Sequence, residues 1–298
     1  MPSIKYLIKL FLPPIIIKLK NLIFVRRQKI VKLSSSIGEV QINGVTLVVI
    51  GNGPSLLQSL KENEQILMQK DSLVVNHFCE TEYYAQIKPK YYLLADPAYW
   101  GDLETYADWL KTKITRFIET FIAQTSWDIN LIIPSSAYHS QFVKRVSTNP
   151  YIHIFYYNNI NYNHSTQLSK YELWDSNSIA PPAQTVLNTA VWLGIFLRYK
   201  KIYLIGADTT WLEELEVDQE TNELYFVDTH FYDKKRKPIY SDVEGKIPQK
   251  LHEQLDCISR AFSQYWELKG YADYVGVNVY NASKYSLIDA FERKKEIT

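Results

Sequence analysis

Apolar residues along this chain fall into short unbroken runs that alternate with stretches of helical period. That pattern belongs to strands buried on both faces, connected by helices that cross the sheet. The runs are Thr46 to Ile50, Ser72 to Phe78, Tyr91 to Pro97, Asn130 to Pro134, Ile152 to Tyr157, Lys201 to Asp208 and Val275 to Asn281, with a shorter one at Val40 to Ile42. Helical spacing is expected over Leu56 to Gln69, Leu103 to Thr120, Gln184 to Arg198 and Leu251 to Leu268. Residues 158–178 are rich in Asn, Tyr and Ser without periodicity and read as an irregular rim, and Leu287 to Phe291 reads as a closing turn or helix. The stretch from Thr209 to about Pro248 is charged and aromatic with no core pattern. An insert of that length over a sheet rim predicts a lid. The expectation is an α/β fold: a Rossmann-like, mostly parallel sheet with helices on both faces, one nucleotide-binding domain over residues 41–298 and a lid near 209–250.

The organising feature is the first long strand, which runs into Gly51-Asn-Gly-Pro-Ser55 and then a helix. Gly51 and Gly53 let the backbone turn without side chains in the way, Pro54 precedes a helix start, and Ser55 sits at it. Free N–H groups and the helix dipole favour a phosphate there. Neither a third glycine at dinucleotide spacing nor a Gly-Lys-Ser/Thr sequence is present, so the turn could also serve geometry alone. In an open parallel sheet the strand carboxyl ends converge on the ligand crevice, which gathers Asn52, Asn76, Asp96 and Asp208 on one rim.

Residues 1–40 differ from the rest. Large apolar residues are interleaved there with Lys5, Lys9, Lys18, Lys20, Arg26, Arg27 and Lys29, and no acid precedes Glu39. No uncharged run reaches the roughly 18 to 20 residues of a membrane span, and Pro13-Pro14 would break a helix there. A basic amphipathic segment lying on an anionic membrane surface fits this pattern.

The net charge of +1 supplies no global basic field, which argues against nucleic acid as the partner. Two cysteines, Cys79 and Cys257, make neither a disulfide framework nor a zinc quartet. The 23 Tyr and 7 Trp residues change the picture more. Flat apolar faces with polar tips suit sugar and nucleotide surfaces.

Five segments then carry a resemblance. Val48-Val-Ile-Gly-Asn-Gly-Pro-Ser-Leu56, Val75-Asn-His-Phe78, Lys90-Tyr-Tyr-Leu-Leu-Ala-Asp-Pro97, Tyr199-Lys-Lys-Ile-Tyr-Leu-Ile-Gly-Ala-Asp208 and Tyr225-Phe-Val-Asp-Thr229 stand in an order that resembles the bacterial sialyltransferases of the Campylobacter lipooligosaccharide type, glycosyltransferase family 42-like. His230-Phe-Tyr232 and Tyr280-Asn-Ala-Ser283 are similar to segments of the wider MptE-like group. The resemblance covers about residues 45 to 291. It implies a GT-A-like variant of the nucleotide-binding fold, a CMP-activated sugar donor and no cofactor. It also implies inverting transfer without metal to a glycan or glycolipid acceptor. Asn52, Gly53 and Ser55 match positions at the nucleotide phosphates, Asn76 a donor-binding asparagine, and Tyr225 one of two tyrosines on the leaving phosphate. The chain departs from the family in three places. Asp96 stands where the family has asparagine, and Thr210 takes the place of the second tyrosine. Ala183-Gln-Thr-Val-Leu187 replaces an Arg and Thr-Ser-Gly segment, with only Thr185 persisting.

Such a transfer needs a nucleotide cradle, stabilisation of the departing phosphate, and a base for the acceptor hydroxyl. Histidine suits the last role at neutral pH. His230, in the lid, and His252, opening the next helix, are the candidates, with His230 preferred; Asp208 could orient the base or bind the ribose. The resulting expectation is a cytoplasmic glycosyltransferase, peripheral on the inner face of the bacterial cytoplasmic membrane, moving a sialic acid-like or Kdo-like sugar. A homo-oligomer is left open. The alternatives are an ATP- and Mg-dependent pterin diphosphokinase, or a non-catalytic nucleotide-binding accessory protein of polysaccharide assembly.

Overall fold

Side-chain parity along the central strands builds two cores, one on each face of a single sheet. In the computed structural model the described residues are 44–159, 167–176, 179–228, 235–242 and 244–298, with Ile16, Leu19 and Ile23. Strands β1 (Thr46–Ile50), β2 (Asp71–Val75), β3 (Tyr91–Leu93), β4 (Ile129–Pro134), β5 (Ile152–Tyr157) and β6 (Lys201–Ile205) are the expected runs, trimmed at their polar ends. Leu47, Val49, Leu73, Val75, Ile202 and Leu204 point to one core, and Val48, Ile50, Val74, Tyr203 and Ile205 to the other. A one-residue slip of any of these strands would exchange its two sets.

Helices α1 (Leu56–Leu67), α2 (Tyr83–Ile87), α3 (Asp108–Gln124) and α4 (Gln141–Val146) cover the second core. The first is covered by α5 (Gln167–Asp175), α6 (Val186–Phe196) and α7 (Leu251–Val275). Helix α6 is apolar on every side because it is wedged between the sheet and α7; Leu187 through Ile195 are all buried. Its first turn is closed by a reciprocal cap. The Thr185 hydroxyl accepts from the Asn188 N–H, and the Asn188 carboxamide accepts from the Thr185 N–H.

The sheet is completed by β10 (Asn278–Asn281) and β11 (Glu292–Arg293), while β7 (Leu215–Val217), β8 (Leu224–Asp228) and β9 (Lys235–Pro238) form a separate antiparallel sheet. The eight-stranded order is β11-β10-β6-β1-β2-β3-β4-β5, and every pairing in it is parallel. The chain leaves β1 toward β2 on one side and returns through β6 on the other. The reversal of direction therefore lies between β1 and β6, the position where open α/β sheets leave a crevice.

Several expectations need correction. Residues 167–175 are helical rather than irregular, because Tyr171 and Trp174 pack on Tyr271 of α7. The expected lid carries strands, and Leu287 to Phe291 forms neither helix nor strand but leads into β11. Helix α7 runs on to Val275 and stops at Gly276, whose φ of 74° is a left-handed cap. The strand expected at Val40 to Ile42 lies outside the described residues, as does most of the basic N-terminal segment. No helix among the described residues is long and apolar enough to cross a membrane.

The reversal point is sterically tight. A Cβ on Gly51 would sit 2.4 Å from the Gly206 carbonyl oxygen, and Gly206 itself has φ of 58°. Gly51→Ala should therefore lower stability by about 2 kcal/mol, within the usual range for overpacking. A urea midpoint equal to that of the wild type would contradict this close approach.

Candidate functional site

The ends of β1 and β6 are laced together. Gly51 N–H donates to the Ile205 carbonyl at 2.9 Å, and Gly53 N–H to the Gly206 carbonyl at 2.8 Å. Beyond that point Asp208 reaches across to the start of α1. One carboxylate oxygen accepts from the Ser55 N–H and the other from the Ser55 hydroxyl, both at 2.6 Å. Asp208 is buried, and burial pushes its carboxyl above the ordinary aspartate range. The two Ser55 hydrogen bonds oppose that shift, and the nearby Glu214 adds to it.

This corrects the reading of the glycine turn. The Ser55 N–H and hydroxyl, the groups expected to hold a phosphate there, are already engaged by a carboxylate of the chain itself. Gly51 and Gly53 are required for close packing, since a Cβ on Gly53 would lie 2.7 Å from the Asp208 carboxyl carbon.

Immediately beside this clasp, at the carboxyl edge of the sheet, a cleft opens. Its inner part, about 360 Å³, is bordered by Asn52, Gly53, Pro54, Gly206, Asp208, Thr209 and Thr210. Its outer part, about 800 Å³, extends over Asp96, Pro97, Gln184, Phe226, Lys237, Gln249, Gln254, Cys257 and Ile258. Asn76, Thr185, Val186, Trp211 and Glu214 line both parts, so the two are one continuous groove. Asn76 reaches it from a left-handed backbone, φ 51°, which asparagine tolerates better than most residues. Asn52 holds its own position by donating from its carboxamide to the Val75 carbonyl at 3.0 Å.

Of the residues expected at the site, the fold thus gathers Asn52, Gly53, Pro54, Asn76, Asp96, Thr185, Asp208 and Thr210. Gly51 and Ser55 lie behind it, in the β1–β6 clasp. Asp96 sits at the outer end, where one carboxylate oxygen accepts from the Ala98 N–H at 2.9 Å. Tyr225 does not border the cleft. Along β8 the side chains alternate, so Phe226 faces the groove while Tyr225 faces away. There Tyr225 donates to Glu223 at 2.7 Å and is covered by the Arg236 guanidinium, 4.4 Å from its ring centre. The role expected for Tyr225 on a leaving phosphate is therefore not available in this arrangement. His252 is exposed on the first turn of α7 and does not reach the groove, which Gln254, Cys257 and Ile258 border instead. His230 and the rest of its His-Phe-Tyr segment lie outside the described residues.

Sequence reasoning passed over the segment that follows Thr210. Trp211–Glu214 is a single 3₁₀ turn, in which positions i and i+3 eclipse, so Trp211 and Glu214 fall on the same side. That side is the cleft. The intervening Glu213 turns outward to accept a hydrogen bond from the Tyr285 hydroxyl. The Thr210 hydroxyl donates to one Glu214 oxygen at 2.6 Å. An aromatic and an acid three residues apart, directly after a strand end, were the legible signal. Among the described residues no group of three His, Cys, Asp or Glu side chains converges as metal ligands would.

No protein-family model matches the chain, and no curated protein matches it significantly. Among solved structures, a MAf glycosyltransferase from Magnetospirillum magneticum AMB-1 aligns at 14% identity with a TM-score of 0.48, over 85% of this chain. The chain spans about a third of the length of that protein, 34%.

The clasp distinguishes packing from ligand binding at the glycine turn. Ser55→Ala removes one hydrogen bond to a buried carboxylate and should lower stability by about 1 to 2 kcal/mol. Nucleotide affinity, measured by calorimetric titration, should stay within about twofold of the wild type. A loss of nucleotide binding at unchanged stability would return the phosphate to α1.

Proposed function

We propose that the protein is a glycosyltransferase that takes a nucleotide-activated sugar in the cleft between β1 and β6. The observation that carries this reading is the convergence of Asn52, Gly53, Asn76, Thr185, Asp208 and Thr210, from four separate chain segments, on one groove at the sheet's reversal point. Crevices at that position in open α/β sheets are where nucleotides bind.

Within the groove the donor phosphate is best served by α6. The Val186 and Leu187 N–H groups of its first turn have no partner among the described residues, and both residues border the inner cleft. They offer an anion free N–H donors and the helix dipole, whereas the Ser55 donors at the start of α1 are taken by Asp208. Trp211 supplies a flat face for a base or sugar ring, and Asn52 and Asn76 supply carboxamides near it. Lys237 adds a cation at the outer part, which suits an acidic sugar.

The finer reading, a CMP-linked sialic acid-like or Kdo-like donor transferred with inversion and without metal to a surface glycan, is supported by the segments that resemble the sialyltransferases. Thermal stabilisation of the full chain by CMP, CDP, UDP, GDP and ATP, each with and without Mg²⁺, tests it. Stabilisation by CMP independent of Mg²⁺, reduced at least fivefold in apparent affinity by Trp211→Ala, is the expected result. Stabilisation by ATP only in the presence of Mg²⁺, with no response to CMP, would overturn it.

The same proposal includes a peripheral position on an anionic membrane face. Ile16, Leu19 and Ile23 are helical and exposed at spacings that share one face, in a segment whose charges are basic. Removing residues 1–33 should reduce sedimentation with phosphatidylglycerol vesicles at least tenfold. Equal sedimentation of the truncated and full chains would remove the membrane from the proposal.

A further inference from the structure

We infer that Glu214 is the general base of the transfer, an assignment that rests on the transferase reading above. Three carboxylates border the groove among the described residues: Asp96, Asp208 and Glu214. Asp208 has both oxygens engaged by Ser55, so a proton placed on it would cost one of two short hydrogen bonds. Asp96 borders only the outer part and caps the short turn that follows it. Glu214 borders both parts, so it stands where a donor held in the inner part would meet an acceptor entering from the outer one.

The geometry of the group matches the task. One oxygen is fixed by the Thr210 hydroxyl at 2.6 Å, and the other has no partner among the described residues. A base must be oriented by one contact and left open for the proton it will accept. The 3₁₀ turn supplies the orientation, because Glu213 is tied outward to Tyr285 while its neighbour is left facing the groove. The other titratable or charged side chains lining the groove are Asp96, Asp208, Lys237 and Cys257. His252, the histidine expected for this role within the described residues, is exposed outside it.

In the step, the acceptor hydroxyl gives its proton to the open Glu214 oxygen as its own oxygen bonds to the anomeric carbon of the donor. The bond from that carbon to the nucleotide phosphate breaks, and its electron pair leaves with the phosphate. The products are the glycoside, the nucleoside monophosphate and a protonated Glu214. Thr210, acting through Glu214, is a positioning residue.

Water can replace the unknown acceptor, so release of CMP from CMP-N-acetylneuraminate and from CMP-Kdo is the measurement. Glu214→Gln keeps the shape and removes the base. It should lower kcat by about 100-fold or more while stabilisation by CMP and the melting temperature stay at wild-type values. Glu214→His should restore part of the turnover with the acid limb of the pH profile moved up toward the histidine range near 6.5. Turnover in Glu214→Gln within threefold of the wild type, with CMP stabilisation intact, overturns the assignment alone, as does loss of turnover in His230→Ala but not in Glu214→Gln. Absence of CMP stabilisation in the wild type overturns the transferase reading and the assignment with it.

Discussion

The carboxylate of Asp208 on the first turn of α1 is the contact on which the rest of the site depends. It joins Asp208 to Ser55, 153 residues away in sequence, and sits where the crevice between β1 and β6 begins. Gly51, Gly53 and Gly206 are all small because that junction leaves no room for a side chain. A buried carboxylate is expensive to desolvate, and two hydrogen bonds from Ser55 offset much of that cost. With Ser55 at the start of α1 engaged from inside the chain, the first turn of α6, with Val186 and Leu187, borders the inner cleft.

That division of labour explains how two helices with similar termini come to differ in use. Helix α1 is amphipathic and lies on an outer face, while α6 is apolar all round and lies between sheet and α7. An enclosed helix has its axis fixed by packing on every side. Its first turn can therefore present N–H groups to the groove at a fixed height above the strand ends.

Much of the architecture was legible because it rests on local periodicity. Uninterrupted apolar runs gave the parallel strands, and their polar ends, Asn52, Asn76, Asp96 and Asp208, gave the rim. What periodicity could not carry were partners distant in sequence. Ser55 reads as a phosphate ligand until Asp208 is seen to occupy it. Tyr225 reads as a site residue until the pairing of Phe226 with Lys237 shows which side of β8 faces the groove. Helix α5 has no amphipathic signal because its aromatic residues pack against Tyr271 and Tyr274 on α7 rather than on a sheet. The three strands of the separate antiparallel sheet are short and carry charges between their apolar positions, which hides them from any run-length criterion.

The 25 residues of α7 have one further consequence. At 1.5 Å per residue the helix spans about 37 Å, so its first turns border the groove while its later ones, with Tyr265, Leu268, Tyr271 and Ala272, are sunk in the core. That wall is anchored in the core through the later turns of the same helix. The facing wall, built on the small antiparallel sheet, buries only Leu224 and Val227 among the described residues of its strands. The two walls of the groove are thus anchored unequally, one by a helix sunk in the core and the other by strands with few buried side chains.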